Sequence, residues 1–197
     1  AGCWYVNIGV ESGNQKTLDG IGKKITLAQV EKACQILKKY GIKVNLLLML
    51  FNVWTKNNRL NYEGVSESSN TLKLASEYLK NGQADLIQAC PTVPYPGSPL
   101  FHFALEKNLI PANRMGQWED WHEIWNIPLK LPGVTAYDYT KLRITTIFLL
   151  ARYGFGKTKS EIHLRNLTDI ISRSFGILLI FIELVERRIQ LQLFSRE

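Results

Sequence analysis

The sequence predicts an α/β fold in which strands and helices alternate and the strands form a parallel sheet. Three short and nearly continuous apolar segments, at 4–10, 42–50 and 84–90, are separated by segments with helical periodicity. Such short apolar runs are typical of strands that are covered on both faces. Strands that recur about every 40 residues with helices between them indicate βα units, whose crossovers are right-handed.

Signals for helix ends support each unit in turn. The first helix begins after Thr26, which forms a capping box with Gln29, and it ends at Gly41. A second helix is expected over about 66–81, where apolar residues recur on one face. A third begins at Ser98-Pro99, an N-cap residue followed by proline at the first helical position.

Three parallel strands do not close a barrel. The sequence therefore predicts three βα units of a partial (β/α) TIM-like barrel with a helical C-terminal extension. In sheets of this kind, ligands bind at the carboxyl ends of the strands. Three segments directly follow those ends, at 11–13, 51–52 and 91–98, and we expect a binding site there.

The composition is that of a globular protein with a modest basic excess. Hydrophobic residues make up 46% of the 197 residues and charged residues 21%, and the net charge is +7, which excludes wholesale disorder. The three cysteines, Cys3, Cys34 and Cys90, are too widely spaced for a disulfide framework or a close-spaced metal cluster. We therefore expect a cytoplasmic protein with no metal ligands of its own.

The first residues contain no signal peptide, and the chain enters an apolar strand almost at once. A native N-terminus rarely begins inside a buried strand, so we expect the chain to be part of a longer polypeptide. No apolar run reaches the roughly 18 residues that a membrane span needs. The nearest, Phe175 to Ile182, is interpreted as a buried helix, with an interfacial helix as the alternative.

The basic excess is concentrated in 141–197, which holds ten Lys or Arg residues against five Asp or Glu. Because these residues are interspersed with Ile, Leu and Phe, a solvated helical face is the favoured interpretation. The weaker alternative is a domain that associates with RNA or with a membrane surface, and such binding would weaken steeply with added salt. We expect no nucleic-acid partner and keep peripheral membrane contact as an alternative.

Two of the strand ends have distinctive sequences. Glu11-Ser12-Gly13 suits either a polar clamp for a ribose or amino-acid group or a simple turn with a helix cap. The segment 91–99 has four prolines in nine residues, which fix its backbone and present Tyr95 rigidly. This loop is either a wall for a flat ligand such as adenine or only a rigid start to the third helix.

Aromatic residues mark the region after the third helix. Trp118, Trp121 and Trp125 share one face if 117–126 is helical, and such a stripe is usually part of a core. His122 lies beside them, but no carboxylate or second histidine is placed to pair with it as an acid, base or metal ligand. We favour a core stripe.

Taken in order, these motifs resemble the second half of a radical S-adenosylmethionine (SAM) enzyme. The pattern is most similar to the family whose members carry an upstream cobalamin-binding domain, which includes anaerobic magnesium-protoporphyrin monomethyl ester cyclases and hopanoid-modifying enzymes. Residues 118–125 and 129–134 resemble the C-terminal extension of that family. The segments that carry the resemblance in the barrel are Ile8 to Gln15, Leu18 to Lys24, the helix at Thr26, Gly41 to Val44, and Pro94 to Phe101.

The resemblance implies two parts: 1–110 as the second half of a radical SAM partial barrel and 111–140 as the family C-terminal extension. Residues 141–197 match no part of the family and are interpreted as a basic, apolar helical tail of unknown role. The resemblance also implies a 4Fe-4S cluster on three cysteines at CxxxCxxC spacing in a missing upstream half. That cluster would reductively cleave SAM to a 5′-deoxyadenosyl radical, which abstracts hydrogen from a small hydrophobic substrate. The cobalamin-associated subgroup would add cobalamin on an upstream domain.

The resemblance assigns cofactor-binding positions but no catalytic residue. Glu11 and Ser12, which Gly13 follows, match the fourth-strand position that contacts the ribose or methionine part of SAM. Pro94, Tyr95 and Pro96 match the loop after the sixth strand, on the adenine and substrate side. Asn45 and Gln88 come from strands that match those of the family. The eight positions are Glu11, Ser12, Gly13, Asn45, Gln88, Pro94, Tyr95 and Pro96.

Two departures from the family pattern define the alternative. The chain contains no CxxxCxxC, and Phe51 to Asn58 replaces the Gly/Pro-rich turn ending in Glu-Thr that commonly follows the fifth strand of the family. The leading hypothesis is a C-terminal fragment that supplies part of the SAM cleft and substrate wall to a complete enzyme. That enzyme would perform radical methylation, cyclisation or another C–H functionalisation. The alternative is a non-catalytic half-barrel module that binds a protein or nucleotide partner.

Overall fold

The computed structural model describes residues 2–57, 59–110 and 129–153, and this part of the chain contains five helices and five strands. In chain order they are β1 (Tyr5–Glu11), α1 (Gln15–Gly20), α2 (Leu27–Lys39), β2 (Lys43–Leu50), β3 (Val53–Lys56), β4 (Arg59–Tyr62), α3 (Gly64–Lys80), β5 (Leu86–Pro91), α4 (Pro99–Glu106) and α5 (Ala136–Tyr153).

The three predicted strands form one sheet. They lie in the order β1–β2–β5, and both neighbouring pairs are parallel. Val6 of β1 pairs with Val44 of β2, and Leu46 of β2 pairs with Ile87 of β5. The predicted α/β class is confirmed as a mixed fold with a small parallel sheet.

The predicted helix starts are also confirmed. The Thr26 hydroxyl accepts a hydrogen bond from the Gln29 amide at 3.2 Å, and the Gln29 side chain accepts one from the Thr26 amide at 2.8 Å. The Ser98 hydroxyl accepts from the Phe101 amide at 3.1 Å, and Pro99 is the first residue of α4. Because caps satisfy amides that the helix itself cannot pair, these side chains fix where each helix begins.

The sequence patterns do not predict α1 or the antiparallel hairpin of β3 and β4. The β3 strand lies within 51–58, a segment that the sequence predicts only as an altered turn, and β4 follows that segment. The Trp54 indole of β3 lies against the end of α1, where a Cβ on Gly20 would stand 2.5 Å from the ring. This contact joins residues that are far apart in sequence, so local periodicity carries no sign of it.

The sheet has two chemically different faces. Paired residues in a parallel ladder project to the same face, and successive residues project to opposite faces. One face joins α2, α3 and α5 in the hydrophobic core through Val44, Leu46, Leu48, Leu50, Ile87 and Ala89. The other, here called the non-core face, consists of Asn7, Gly9, Asn45, Leu47, Met49, Gln88 and Cys90, and none of these belongs to that core. The core of the described residues thus covers one face of the strands, whereas the sequence predicts both faces covered.

The last described helix, α5, runs without a break across the predicted boundary between 111–140 and 141–197. Tyr139 and Leu142 belong to the core, whereas Tyr137, Ile144 and Phe148 are exposed. The beginning of the predicted tail is therefore helical, as the sequence suggests. None of the described helices combines the length and the apolar character needed to cross a bilayer.

Two predictions concern residues outside the described ranges. The stripe of Trp118, Trp121 and Trp125, with His122, falls within 111–128, and the apolar run Phe175 to Ile182 falls within 154–197. Both stay predictions.

Phe51→Ala should lower the free energy of unfolding by about 3–5 kcal/mol. The ring is 1% exposed and stacks on Tyr139 with ring centroids 4.0 Å apart. Phe148→Ala is the matched control, because that ring is 58% exposed on α5, and it should cost less than about 1 kcal/mol. Denaturant unfolding followed by circular dichroism measures both, and equal losses would contradict this packing.

Candidate functional site

The carboxyl ends of β1 and β2 have an unusual backbone. Glu11, the last residue of β1, has φ 67°, and Phe51, directly after β2, has φ 56°. The ladder between β1 and β2 also shifts register between Gly9 and Glu11. A left-handed conformation costs a residue with a side chain roughly 1–2 kcal/mol, so the surrounding structure must hold these two strand ends in place.

The Glu11 side chain lies over the non-core face. Its carboxylate accepts a hydrogen bond from Lys23 Nζ at 2.9 Å. A Cβ placed on Gly9, which belongs to the non-core face, would stand 2.9 Å from Glu11 Oε1 and 3.1 Å from Lys23 Nζ. The absence of a side chain at Gly9 therefore makes room for this partly exposed ion pair.

The other two residues of the predicted clamp point elsewhere. Ser12 is fully buried, and its hydroxyl donates to Glu67 Oε1 at 2.5 Å. Gly13 packs against α3, where a Cβ would stand 2.8 Å from the Thr71 Cα. Of the three residues, only Glu11 offers its side chain to the non-core face.

Sequence reasoning missed the centre of this region, Glu67 on α3. Its side chain is 1% exposed, and its carboxylate accepts four side-chain hydrogen bonds. The donors are Ser12 at 2.5 Å, Thr71 at 2.9 Å, Asn52 at 3.3 Å and Ser68 at 3.3 Å. Burial raises the pKa of Glu67, and the four hydrogen bonds oppose that rise without cancelling it.

A sequence signal for Glu67 exists in the helical periodicity. Glu67, Thr71 and Ala75 recur every four residues and therefore share the face of α3 that enters the core. A carboxylate on the buried face of an amphipathic helix needs hydrogen-bond partners from neighbouring elements. Ser12 and Asn52 are those partners, and Ser68 and Thr71 of α3 itself donate as well.

Asn45 and Gln88 both lie on the non-core face, but at different positions along the strands. Asn45 is 6% exposed, and its Nδ2 donates to Asn7 Oδ1 at 2.9 Å, whereas its Oδ1 has no partner among the described residues. Asn7 lies four residues before Glu11, which is about 13 Å along a strand. Gln88 pairs in register with Leu47, between these two ends, and is exposed.

The proline-rich loop follows β5 at the same edge of the sheet as Glu11. Pro94 is buried, Pro96 is exposed, and Tyr95 is 56% exposed. The Tyr95 carbonyl accepts a hydrogen bond from the Ser98 hydroxyl at 2.7 Å, which ties the loop to the start of α4. Because β2 alone separates β1 from β5, the ends of those two strands lie about 10 Å apart.

The electrostatics of Cys90 connect it to Glu11 across β2. Burial raises the pKa of the Cys90 thiol, and the negative charge of Glu11 raises it further. Cys90 and Gly9 belong to the same face of the sheet, and Glu11 lies over Gly9. The Glu11 carboxylate and the Cys90 thiol thus lie on the same face of the sheet as the apolar side chains of Leu47 and Met49.

Of the three groups that the resemblance implies, SAM and the iron–sulfur cluster can be compared with the side chains on the described residues. The non-core face offers a carboxylate and a buried unpartnered amide oxygen, two acceptors that match the hydroxyl and ammonium donors of SAM. An iron–sulfur cluster does not fit: in the described ranges no three His, Cys, Asp or Glu side chains form a metal-binding group. Cys3, Cys34 and Cys90 are respectively exposed, buried and half-buried.

Comparison with known proteins assigns no family: no family profile matches the chain, and no curated protein matches it. The resemblance to radical SAM enzymes therefore stays a prediction from the sequence motifs.

Alanine substitutions of Gly13 and Gly9 should have different effects on stability, because Gly13 packs against backbone and Gly9 faces an ion pair. Gly13→Ala should lower the free energy of unfolding by about 1–3 kcal/mol, because the new methyl group meets the backbone of α3. Gly9→Ala should cost less than about 1 kcal/mol, because only the flexible ends of Glu11 and Lys23 must move. Chemical denaturation measures both, and a larger loss for Gly9→Ala would contradict the placement of the ion pair.

Glu11→Gln should increase the rate at which iodoacetamide alkylates Cys90, because removing the carboxylate charge lowers the pKa of the thiol. Exposed Cys3 serves as the reference within the same molecule. Peptide mass spectrometry over time measures the ratio of the two rates. An unchanged ratio would show that Glu11 does not face Cys90.

Proposed function

We propose that this chain supplies one side of the SAM cleft and part of the substrate wall of a radical SAM enzyme whose cluster ligands lie outside these residues. The observation that carries the proposal is the non-core face of a parallel sheet, with the Glu11 carboxylate at its carboxyl edge. Parallel sheets bind ligands at that edge. The motif order of the sequence supports the radical SAM assignment within this class of site.

Different residues of the site would bind different parts of SAM. Glu11 would accept hydrogen bonds from the vicinal hydroxyls of a ribose or from an ammonium group, with Lys23 holding the carboxylate in place until a ligand arrives. The exposed ring of Tyr95, about two strand spacings away, would cover a flat base. Bound SAM would be the source of the radical once a cluster reduces it.

The substrate side would be apolar. Leu47 and Met49 lie on the non-core face, half-buried and outside the core. A small hydrophobic substrate resting on them would bury apolar area that water otherwise contacts. The full enzyme would then methylate, cyclise or otherwise functionalise a C–H bond, and this chain alone would be inactive.

A second candidate is a half-barrel module that binds a nucleotide or protein without radical chemistry. The β3–β4 hairpin favours it, because the hairpin stands where the family carries a turn of small residues that allows close approach of the backbone to a ligand. A module that binds a nucleotide would use the same surface as the enzyme and would differ from it in that the bound ligand does not react.

The full chain should bind SAM, and Glu11→Gln should weaken binding at least tenfold. The reason is that a hydrogen bond to a charged acceptor contributes about 1.5–3 kcal/mol, and about 1.4 kcal/mol corresponds to a factor of ten. Titration of the ¹⁵N-labelled chain should move the resonances of Gly9, Glu11 and Gln88. Glu31→Gln, on the exposed side of α2, is the matched control and should leave the affinity unchanged.

Reactivity separates the two candidates. The chain is expressed in continuity with its upstream coding region, the cluster is reconstituted, and 5′-deoxyadenosine is measured after reduction in the presence of SAM. Formation of 5′-deoxyadenosine supports the enzyme. An intact cluster without 5′-deoxyadenosine, together with SAM binding, would leave the non-catalytic module, and no SAM binding to either form would reject both nucleoside assignments.

A further inference from the structure

Hydroxyl groups link the loop after β1 to the buried carboxylate of Glu67. The Asn14 amide donates to the Ser12 hydroxyl at 3.1 Å, and that hydroxyl donates to Glu67 Oε1 at 2.5 Å. In parallel, the Gly13 amide donates to the Thr71 hydroxyl at 2.8 Å, which donates to the same oxygen at 2.9 Å. Two successive amides of this loop therefore depend on one carboxylate oxygen.

The loop after β2 is connected in the same way. The Phe51 amide donates to the Ser68 hydroxyl at 2.7 Å, which donates to Glu67 Oε2 at 3.3 Å. Asn52 Nδ2 donates to the Met49 carbonyl at 2.8 Å, and its second hydrogen is shared between Glu67 Oε1 and the Glu11 carbonyl, each at 3.3 Å. Asn52 thus joins the two loops directly, and Glu67 joins them through its two oxygens.

The valence of the groups favours an ionised carboxylate. Each of the three hydroxyls accepts from a backbone amide, so the one proton it carries is available to Glu67. A carboxylate accepts all four donors, whereas a protonated Glu67 would carry a hydrogen on one oxygen. Oε2 accepts only from Ser68 while Oε1 accepts three donors, so protonation at Oε2 would displace the link to Phe51 and weaken the acceptor that holds Ser12 and Thr71.

We propose that Glu67 is a positioning residue that couples the ends of β1 and β2, so that a change in its ionisation alters both ends together and changes ligand affinity at Glu11. The coupling rests on the hydrogen bonds alone. Its effect on affinity rests on the proposed function.

Two ion pairs lie on the elements next to Glu67. Glu11 at the end of β1 pairs with Lys23, and Lys16 on α1 pairs with Glu63, which directly precedes α3. Burial is the main cause that moves the pKa of Glu67, upward from its ordinary value of 4.5. Because the folded state then holds the proton more tightly than the unfolded state, this group's contribution to stability is greatest below 4.5 and falls as the pH rises through the raised pKa.

Amide resonances of the full chain test the coupling without any ligand. In a pH titration of the ¹⁵N-labelled protein, the Gly13, Asn14 and Phe51 amides should shift with one common midpoint above 4.5, and Glu67→Gln should abolish that shared shift. Glu63→Gln, the matched control, should leave it intact. Separate midpoints, or a shared shift that survives Glu67→Gln, would overturn the proposal.

Single links provide a second route if Glu67→Gln fails to fold. Thr71→Val should remove the response of the Gly13 amide while Phe51 still reports, and Thr71→Ser should restore it. Ser68→Ala should have the opposite effect: the Phe51 amide should lose its pH-dependent shift, and the Gly13 and Asn14 amides should keep theirs. Loss of all three responses in either variant would indicate general loosening and contradict separate links to one carboxylate.

The ligand arm uses SAM as the probe. In the wild-type chain, the dissociation constant should change with pH around the same midpoint, and in Glu67→Gln that component should disappear. Binding that does not follow the midpoint overturns the effect on affinity. If SAM does not bind at any pH while the three amides still titrate together, the proposed function fails and the coupling stands.

Discussion

The geometry of the strand ends depends on one buried interaction, the carboxylate of Glu67 with its four side-chain donors. Removing such a group from water costs several kcal/mol, which partners must offset by satisfying its lone pairs. Here the partners come from the loop after β1, the loop after β2 and α3 itself. The same bonds hold Glu11 and Phe51 in left-handed backbone conformations that an isolated chain would avoid. The strained backbone and the hydrogen bonds that offset its cost thus lie at the same place, where the ends of β1 and β2 meet.

The fold was largely predictable because its determinants are local. The apolar runs located β1, β2 and β5, and the residues Thr26 and Ser98 located two helix starts through caps that act within four positions. The α1 helix and the β3–β4 hairpin were not predicted. Trp54 meets Gly20 only after the chain has folded, and that contact leaves no periodic mark in the sequence.

The site was less predictable than the fold. Sequence reasoning identified Glu11 and the proline-rich loop at the correct edge of the sheet, but it grouped Ser12 with Glu11. The two residues are neighbours in sequence, yet one turns to the non-core face and the other to the interior, because the backbone reverses at Glu11. Glu67 was missed because a carboxylate is ordinarily expected on the solvated side of a helix. Only its spacing with Thr71 and Ala75 indicates the buried side.

The non-core face combines two polar ends with a middle that holds apolar Leu47 and Met49 beside the exposed Gln88, and this arrangement limits what can bind. Glu11 and Lys23 mark the carboxyl end, and the Asn7–Asn45 pair marks the opposite end about 13 Å away. The buried Oδ1 of Asn45 has no partner among the described residues, and the bond to Asn7 fixes the amide so that this oxygen cannot exchange places with Nδ2 without losing that bond. A ligand that only fills the space over Leu47 and Met49 would leave the oxygen unsatisfied. An extended ligand with hydrogen-bond donors at both ends and an apolar centre would satisfy the whole surface, and a water molecule at Asn45 would reduce the requirement to the Glu11 end alone.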